Sequence, residues 1–285
     1  MLSTRLWMGT ILIALAVGML VFDQRLAPVY PFLFVFQLGL SLAACAEIIG
    51  LLGPNRRPQI VICFAGIAMM VIANWAAQSE SRSATWLGLL GLFTALFLAI
   101  LIWEMLWFVS PDRSTQRMAL TWFIVGYLGL LPCFFAQLRW LYPAGDSRGT
   151  AALALAIFVP KCGDIGAYFT GRLLGRHKMT PVLSPKKTWE GAAGGLVFAV
   201  LATVAIDRLS ELPLVGACLP CEIVFGVLVG VAGMLGDLAE SLLKRDCQKK
   251  DASAAVPGFG GVLDVVDAVL FAAPMVYGCL WFGAR

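Results

Sequence analysis

The chain has 285 residues, 60% of them hydrophobic and only 13% charged, with a formal net charge of +4. A soluble domain carries about 25% charged residues, so the composition excludes a soluble globular enzyme and predicts an all-α polytopic membrane protein. The single histidine, His177, excludes a His-rich zinc site. No basic helix interleaved with aromatics is present, which argues against nucleic acid as a partner.

About nine apolar stretches reach the roughly 20 residues that span a bilayer. In chain order they are Leu6–Phe22, Tyr30–Leu52, Gln59–Ala77, Trp86–Val109, Met118–Leu141, Thr150–Thr170, Gly191–Ile206, Val215–Leu235 and Val262–Phe282. They are too long and too uniformly apolar for barrel strands, and a spanning segment must satisfy its own backbone, so they read as helices. The first has no small-residue cleavage site before Asp23-Gln24-Arg25 and reads as a retained helix. Glu47 and Glu104 are the only acids well inside the first five, and both read as packing or interhelical hydrogen-bonding residues. The polar residues gather in the last four helices. The chain therefore divides into an N-terminal scaffold, residues 1–148, and a C-terminal catalytic region, 149–285, with Tyr142–Gly149 as the seam.

Arg5, Arg56, Arg57, Arg113 and Arg117 fall on one set of alternate ends, together with the basic residues of 172–187 and 244–250. Arg25, Arg82, Arg139, Arg148, Arg208 and Arg285 fall on the other. The positive-inside rule then predicts an inner (cytoplasmic) membrane protein whose N-terminus and polar motifs face the cytoplasm and whose C-terminus lies outside. The eight cysteines are scattered, and Cys218-Leu219-Pro220-Cys221, although spaced like a redox motif, lacks a surrounding βαβ pattern and reads as packing.

Ionisable residues at membrane depth are costly and usually functional. Lys161 and Asp164, three apart, share a helix face. In Ser184-Pro185-Lys186-Lys187-Thr188-Trp189-Glu190-Gly191, the two lysines are strong phosphate donors. Ser184 and Thr188 read as helix caps and Pro185 as a first helical residue, which would aim N–H groups at an anion. Further on, Asp237 and Glu240 close one helix, and Asp264 and Asp267 open the next on one face. Lys244, Arg245, Lys249, Lys250 and the turn Pro257-Gly258-Phe259-Gly260-Gly261 lie between them. Hard carboxylate oxygens suit Mg²⁺ shared with substrate phosphates, and the glycines let backbone approach a nucleotide.

These motifs, SPKKTWEG, the upstream run from Asp164 through His177-Lys178, and the downstream run from Gly236-Asp237 to Asp267, resemble the phosphatidate cytidylyltransferases (CDP-diacylglycerol synthases) from about Lys161 to Asp267. The resemblance implies that CTP condenses with phosphatidic acid to give CDP-diacylglycerol and pyrophosphate, with Mg²⁺ and K⁺ as a candidate second cation. It makes Asp237, Asp264 and Asp267 the metal carboxylates and, with Lys187, the catalytic set. It makes Lys186, Lys187, Lys244 and Arg245 phosphate ligands. Lys161, Asp164, Arg172, Ser184, Thr188, Lys250, Gly260 and Gly261 complete the expected substrate-binding set. Related membrane enzymes pair, so a homodimer is a candidate assembly. The sequence departs from the family signature at Phe259, Val265 and Ala268, where His, Arg and Ser are usual, and at Ile165, where a small polar residue is common.

A phosphate monoester has a second pKa near 6, so it attacks as a dianion without a general base. What remains is to bring two anions together and neutralise a departing pyrophosphate, a task for carboxylate-held metal and lysines rather than histidine. A CTP-dependent enzyme acting on an isoprenoid alcohol or ether lipid would use the same groups. A transporter would place polar residues in matching positions of two halves, and here they occupy one.

Overall fold

The computed structural model describes residues 2–79, 81–108, 113–210, 215, 218–258 and 260–283. It is built almost wholly of helices: α1 (Leu2–Gln24), α2 (Pro31–Leu52), α3 (Ile60–Ala76), α4 (Arg82–Leu106), α5 (Ser114–Val125), α6 (Leu131–Arg139), α7 (Ser147–Leu174), α8 (Trp189–Leu209), α9 (Leu219–Asp246) and α10 (Leu263–Gly283). A π-helical turn, Gly126–Leu130, joins α5 to α6 without breaking the run. Among the described residues, eight helical runs are long and apolar enough to cross a membrane, counting Ser114–Arg139 as one; α3 is apolar but shorter, at 17 residues.

The expected spans fall on helices among the described residues, Val109 and residues 216–217 lying outside them, and one end differs where charge begins. The run expected to stop at Leu235 continues as α9 through Asp237, Glu240 and Lys244 to Asp246. Hydropathy ends at the first charge; the helix does not, because Asp237 pairs with Lys187 of β2, Glu240 with Lys244 one turn on, and Lys244 with Asp264 of α10.

The bundle tightens from the N-terminal to the C-terminal half. α1 is largely exposed from Trp7 to Phe22, whereas α7, α8, α9 and α10 bury glycine and alanine against one another. On α7, Gly163 and Gly166 face Gly195 and Phe198 of α8, so close that a methyl on Gly195 would lie 2.9 Å from the Gly163 carbonyl oxygen. Small residues that admit backbone contact are the usual device where the solvent supplies no hydrophobic drive. Pro160, inside α7, packs onto Gly233 of α9. Gly236 of α9 is pressed against the α10 backbone at Asp267 and Ala268.

Several polar groups in the N-terminal half are paired internally, which an apolar solvent favours. Glu104 accepts from Gln59 Nε2 at 2.9 Å and from the Arg117 guanidinium, which ties α3's entry, α4 and α5. This matches the interhelical role expected of Glu104. Asp23, at the end of α1, accepts from the amides of Phe32 and Leu33 and so caps α2. At the seam, Asp146 caps α7 through the Arg148 amide, and its ion pair with Arg148 holds its carboxyl below the usual range.

Two expectations are corrected. Cys218 and Cys221 form a disulfide where α9 begins, rather than packing as free thiols; an N-cap and the third helical residue bring the two Cα atoms to 5.4 Å. Ser184-Pro185 does not start a helix. Ser184–Thr188 is strand β2, paired antiparallel to β1 (Lys178–Thr180), and α8 starts only at Trp189. Proline fits this short ribbon because neither strand has a further neighbour among the described residues.

Candidate active site

Four elements converge where α9 meets the start of α10. α9 contributes Asp237 and Glu240, one turn apart; α10 contributes Asp264 and Asp267 in its first turns; α7 contributes Lys161 and Asp164; and β2 contributes Lys187. Carboxylate oxygens of Asp237, Glu240 and Asp267 lie within 4.8 Å of one another. Glu240 and Asp267 are almost fully buried.

Two lysines close this group from outside. Lys187 Nζ is 2.8 Å from Asp237 Oδ2. Lys161 Nζ is 3.2 Å from Asp267 Oδ1 and 3.6 Å from Asp164 Oδ2. A third, Lys244, is buried deeper and donates to Glu240 Oε2 at 2.7 Å and to Asp264 Oδ1 at 2.6 Å. The other Glu240 oxygen, Oε1, is buried with no hydrogen-bond donor among the described residues. An anionic oxygen left in that state is costly, and a cation held by Asp237, Glu240 and Asp267 would satisfy it. Three hard oxygen donors suit a divalent ion such as Mg²⁺. The residues therefore fit the expected metal, with one change in the donor set.

That change concerns Asp264. The resemblance groups it with Asp237 and Asp267, but the structure brings Glu240 to them instead. Asp264 Oδ1 is occupied by Lys244, and Oδ2 accepts from the amides of Gly261 at 2.7 Å and Ala252 at 3.2 Å. Asp264 thereby folds the glycine turn back onto α10. The helix spacing of Asp237 and Glu240 was the available signal for the third carboxylate.

The SPKKTWEG segment is held by its own ends. Thr188 caps α8, its hydroxyl accepting from the Gly191 amide at 3.1 Å, as expected of it. Glu190, which sequence reasoning left without a role, accepts from the amides of Arg176 and His177 and from His177 Nδ1 at 2.6 Å. Consecutive strand residues point to opposite faces. Lys187 therefore turns in to Asp237 while Lys186 turns out to the surface, and Ser184 is half-buried at the ribbon's start.

The other expected binding residues lie around this centre rather than in it. Arg172 is bonded to the Tyr168 hydroxyl at 3.0 Å on the exposed side of α7. Arg245 reaches the carbonyl oxygens of Leu183 and Lys249, pinning the ribbon's loop to the end of α9. Lys250 is exposed in the following loop. The glycines serve the protein's own carboxylates. Gly260 has φ +111°, and a Cβ there would sit 2.7 Å from Asp264 Oδ2; one on Gly261 would meet Glu47.

Of the departures from the signature, Phe259 lies outside the described residues. Ala268 is buried where Gly236 touches its backbone, a place for a small residue. Val265 is half-buried, and Ile165 is exposed on α7.

Fold and site together define a polytopic membrane protein with a buried carboxylate–lysine centre between its last four helices. The chain belongs to the cytidylyltransferase family, which it matches over residues 3–282. It is 38% identical over 151 residues to a phosphatidate cytidylyltransferase of Bacillus subtilis (strain 168), covering 53% of this chain and 54% of that protein. It is 38% identical over 191 residues to one of Synechocystis sp., covering 58% and 61%. With one of Haemophilus influenzae it shares 42% over 134 residues, covering 47% and 46%. The chain spans about half the length of the curated relatives it matches.

Proposed function

We propose that this protein transfers a cytidylyl group from CTP to phosphatidic acid in the membrane, giving CDP-diacylglycerol and pyrophosphate. The observation that carries the reading is the convergence of Asp237, Glu240 and Asp267 within 4.8 Å, bordered by Lys187 and Lys161. The family membership and the names of the relatives support the substrates.

The division of labour follows from burial. Asp237, Glu240 and Asp267 would hold a divalent ion, whose chemistry there would be to neutralise charge on the triphosphate and its leaving group. Lys187 and Lys161, about a quarter to a third exposed, are the cations free enough to turn from carboxylate to incoming phosphate and share the charge of the transition state. Lys244 is buried between Glu240 and Asp264 and spaces those carboxylates. The phosphatidate dianion attacks the α-phosphorus of CTP directly, without a general base or covalent enzyme intermediate. Residues 149–285 carry this chemistry, with α1 to α6 as scaffold. The carboxylate centre faces the cytoplasm of an inner membrane. The basic ends support that orientation, and so does the disulfide at the far end of α9, since disulfides persist in oxidising compartments.

The test is product formation from labelled CTP and phosphatidic acid by detergent-purified protein with Mg²⁺, beside Asp237→Asn and Asp267→Asn. The expected result is CDP-diacylglycerol from the wild type, with inversion at phosphorus, and at least about 100-fold less from either variant. Folded wild type that yields no product with phosphatidic acid, but does with an isoprenoid or ether lipid acceptor, would replace the substrate. Retention at phosphorus would overturn direct attack.

A further inference from the structure

We propose that Glu47, on α2 in the N-terminal half, is a positioning residue for the α10 carboxylates. Its side chain crosses the divide between the two halves. Oε1 accepts from the Val262 amide at 2.8 Å and the Ser253 hydroxyl at 2.6 Å, and Oε2 accepts from the Leu263 amide at 2.9 Å. A helix begins with four amides that have no partner within it. At α10 the first two of this group, Val262 and Leu263, are taken by Glu47, while Asp264 takes the amide of Gly261 in the turn just before them. The start of α10 is therefore capped by a residue more than two hundred positions away in sequence. The cap also places a negative charge at the positive end of the helix dipole.

The location gives this cap its consequence. Asp264 and Asp267 stand in the first turns of α10, the part that frays when capping is lost. Lys244 holds the same turn from the α9 side through Asp264. Glu47 holds it from the α2 side, so the carboxylate of Asp267 is aimed from two directions. Gly261 is shaped to this contact: a methyl there would lie 2.8 Å from Cδ and from Oε1 of Glu47. The surrounding ties reinforce it. Lys249 Nζ donates to the Gly50 carbonyl oxygen at 3.1 Å, and Arg56 pairs with Asp246, both joining the end of α2 or its following turn to the α9–α10 connection. The N-terminal half thus contributes to the centre through geometry, without supplying a group that touches substrate.

The assignment rests on the reading of this centre as a cation-dependent transferase, and its test has a readout separate from turnover. Mn²⁺ binding to the detergent-purified full chain is followed by electron paramagnetic resonance, with thermal unfolding and the Mg²⁺ dependence of turnover measured in parallel. Residues that orient metal ligands affect affinity by roughly 10- to 100-fold. Glu47→Gln turns an amide donor toward a backbone N–H, and the expected result is Mn²⁺ binding weaker by about tenfold or more. The Mg²⁺ needed for half-maximal rate rises by the same factor, and kcat is largely recovered at saturating Mg²⁺. Ser253→Ala, which removes one donor and leaves the cap, shifts both in the same direction by less, and keeps the idea testable if Glu47→Gln does not fold. Glu47→Gln that loses thermal stability but binds Mn²⁺ like the wild type would reduce Glu47 to a structural cap and overturn the proposal. Wild type that binds no Mn²⁺ would overturn it as well. Wild type that binds Mn²⁺ with the predicted Glu47 dependence, yet makes no lipid nucleotide, would leave the positioning role standing and remove the proposed transfer instead.

Discussion

Gly236→Ala is a sharp test of how the centre is built. A methyl at that position would lie 3.0 Å from Ala268 Cα and 3.1 Å from the Asp267 carbonyl carbon, and closer still to the Asp267 carbonyl oxygen. Carbon pairs settle at about 3.5–4.0 Å, so α9 and α10 must part by about 0.5 Å or more. No rotamer change relieves this, because every atom met first is backbone. Overpacking of this kind destabilises by about 1–3 kcal/mol, offset in part by the gain of about 1 kcal/mol in helix propensity over glycine. The functional effect should be larger than the net effect on stability. Asp267 moves with its own carbonyl, away from Asp237 and Glu240, whereas metal–ligand distances tolerate only about 0.2 Å. The expected outcome is at least about a tenfold loss of cytidylyl transfer, given that 1 Å of misplacement can remove about 100-fold, with a modest drop in unfolding temperature. Gly278→Ala is the control, since nothing lies within 4 Å of a methyl there. Gly236→Ala with wild-type rate and stability would refute the argument that backbone contact sets the spacing of the carboxylates.

Lys187→Ala should cut transfer by about 100-fold or more, the effect of removing one preorganised donor, while Lys186→Ala, on the outer face of the ribbon, changes it little; equal losses in a steady-state assay would contradict the strand alternation. Lys244→Met leaves Glu240 and Asp264 buried together without their shared cation, and breaking a buried pair in this way costs about 3–5 kcal/mol. Thermal unfolding in detergent should show the largest loss for this variant. Thr188→Ala removes the α8 cap and should lower stability by about 1 kcal/mol, with Thr188→Ser retaining most of it; an unchanged Thr188→Ala would show that the cap is dispensable.

The class of fold was legible because the bilayer imposes one rule on every segment, and a run such as Arg82–Leu106 can satisfy it only as a helix. The polar motifs were legible for the complementary reason: charge inside such a sequence needs a purpose. Partners were not legible. Glu47 reads as a packing or interhelical hydrogen-bonding acid, but that its partners are Val262 and Leu263 depends on which helices become neighbours. Glu240, to which the sequence assigns no role, stands beside Asp237 and Asp267, while Lys244, one turn beyond it, takes Asp264. Proline after serine suggested a helix start, but Thr188 made a better cap and left Ser184–Thr188 to pair as a strand. The glycine turn suggested room for a ligand. Its small residues instead make room for Asp264 and Glu47.

The Cys218–Cys221 bridge stands at the N-terminal end of α9, about 27 Å along the helix from Asp237 at 1.5 Å per residue. Cytosolic thiols are kept reduced, and those delivered to the oxidising side are not. The bridge is therefore a record of insertion written into the chain itself. A molecule threaded in the proposed sense carries the bond, and one threaded the opposite way keeps two thiols there. The oxidised fraction at these two positions, measured in whole cells by thiol labelling before and after reduction, would count correctly inserted copies without any tag and without reference to catalysis.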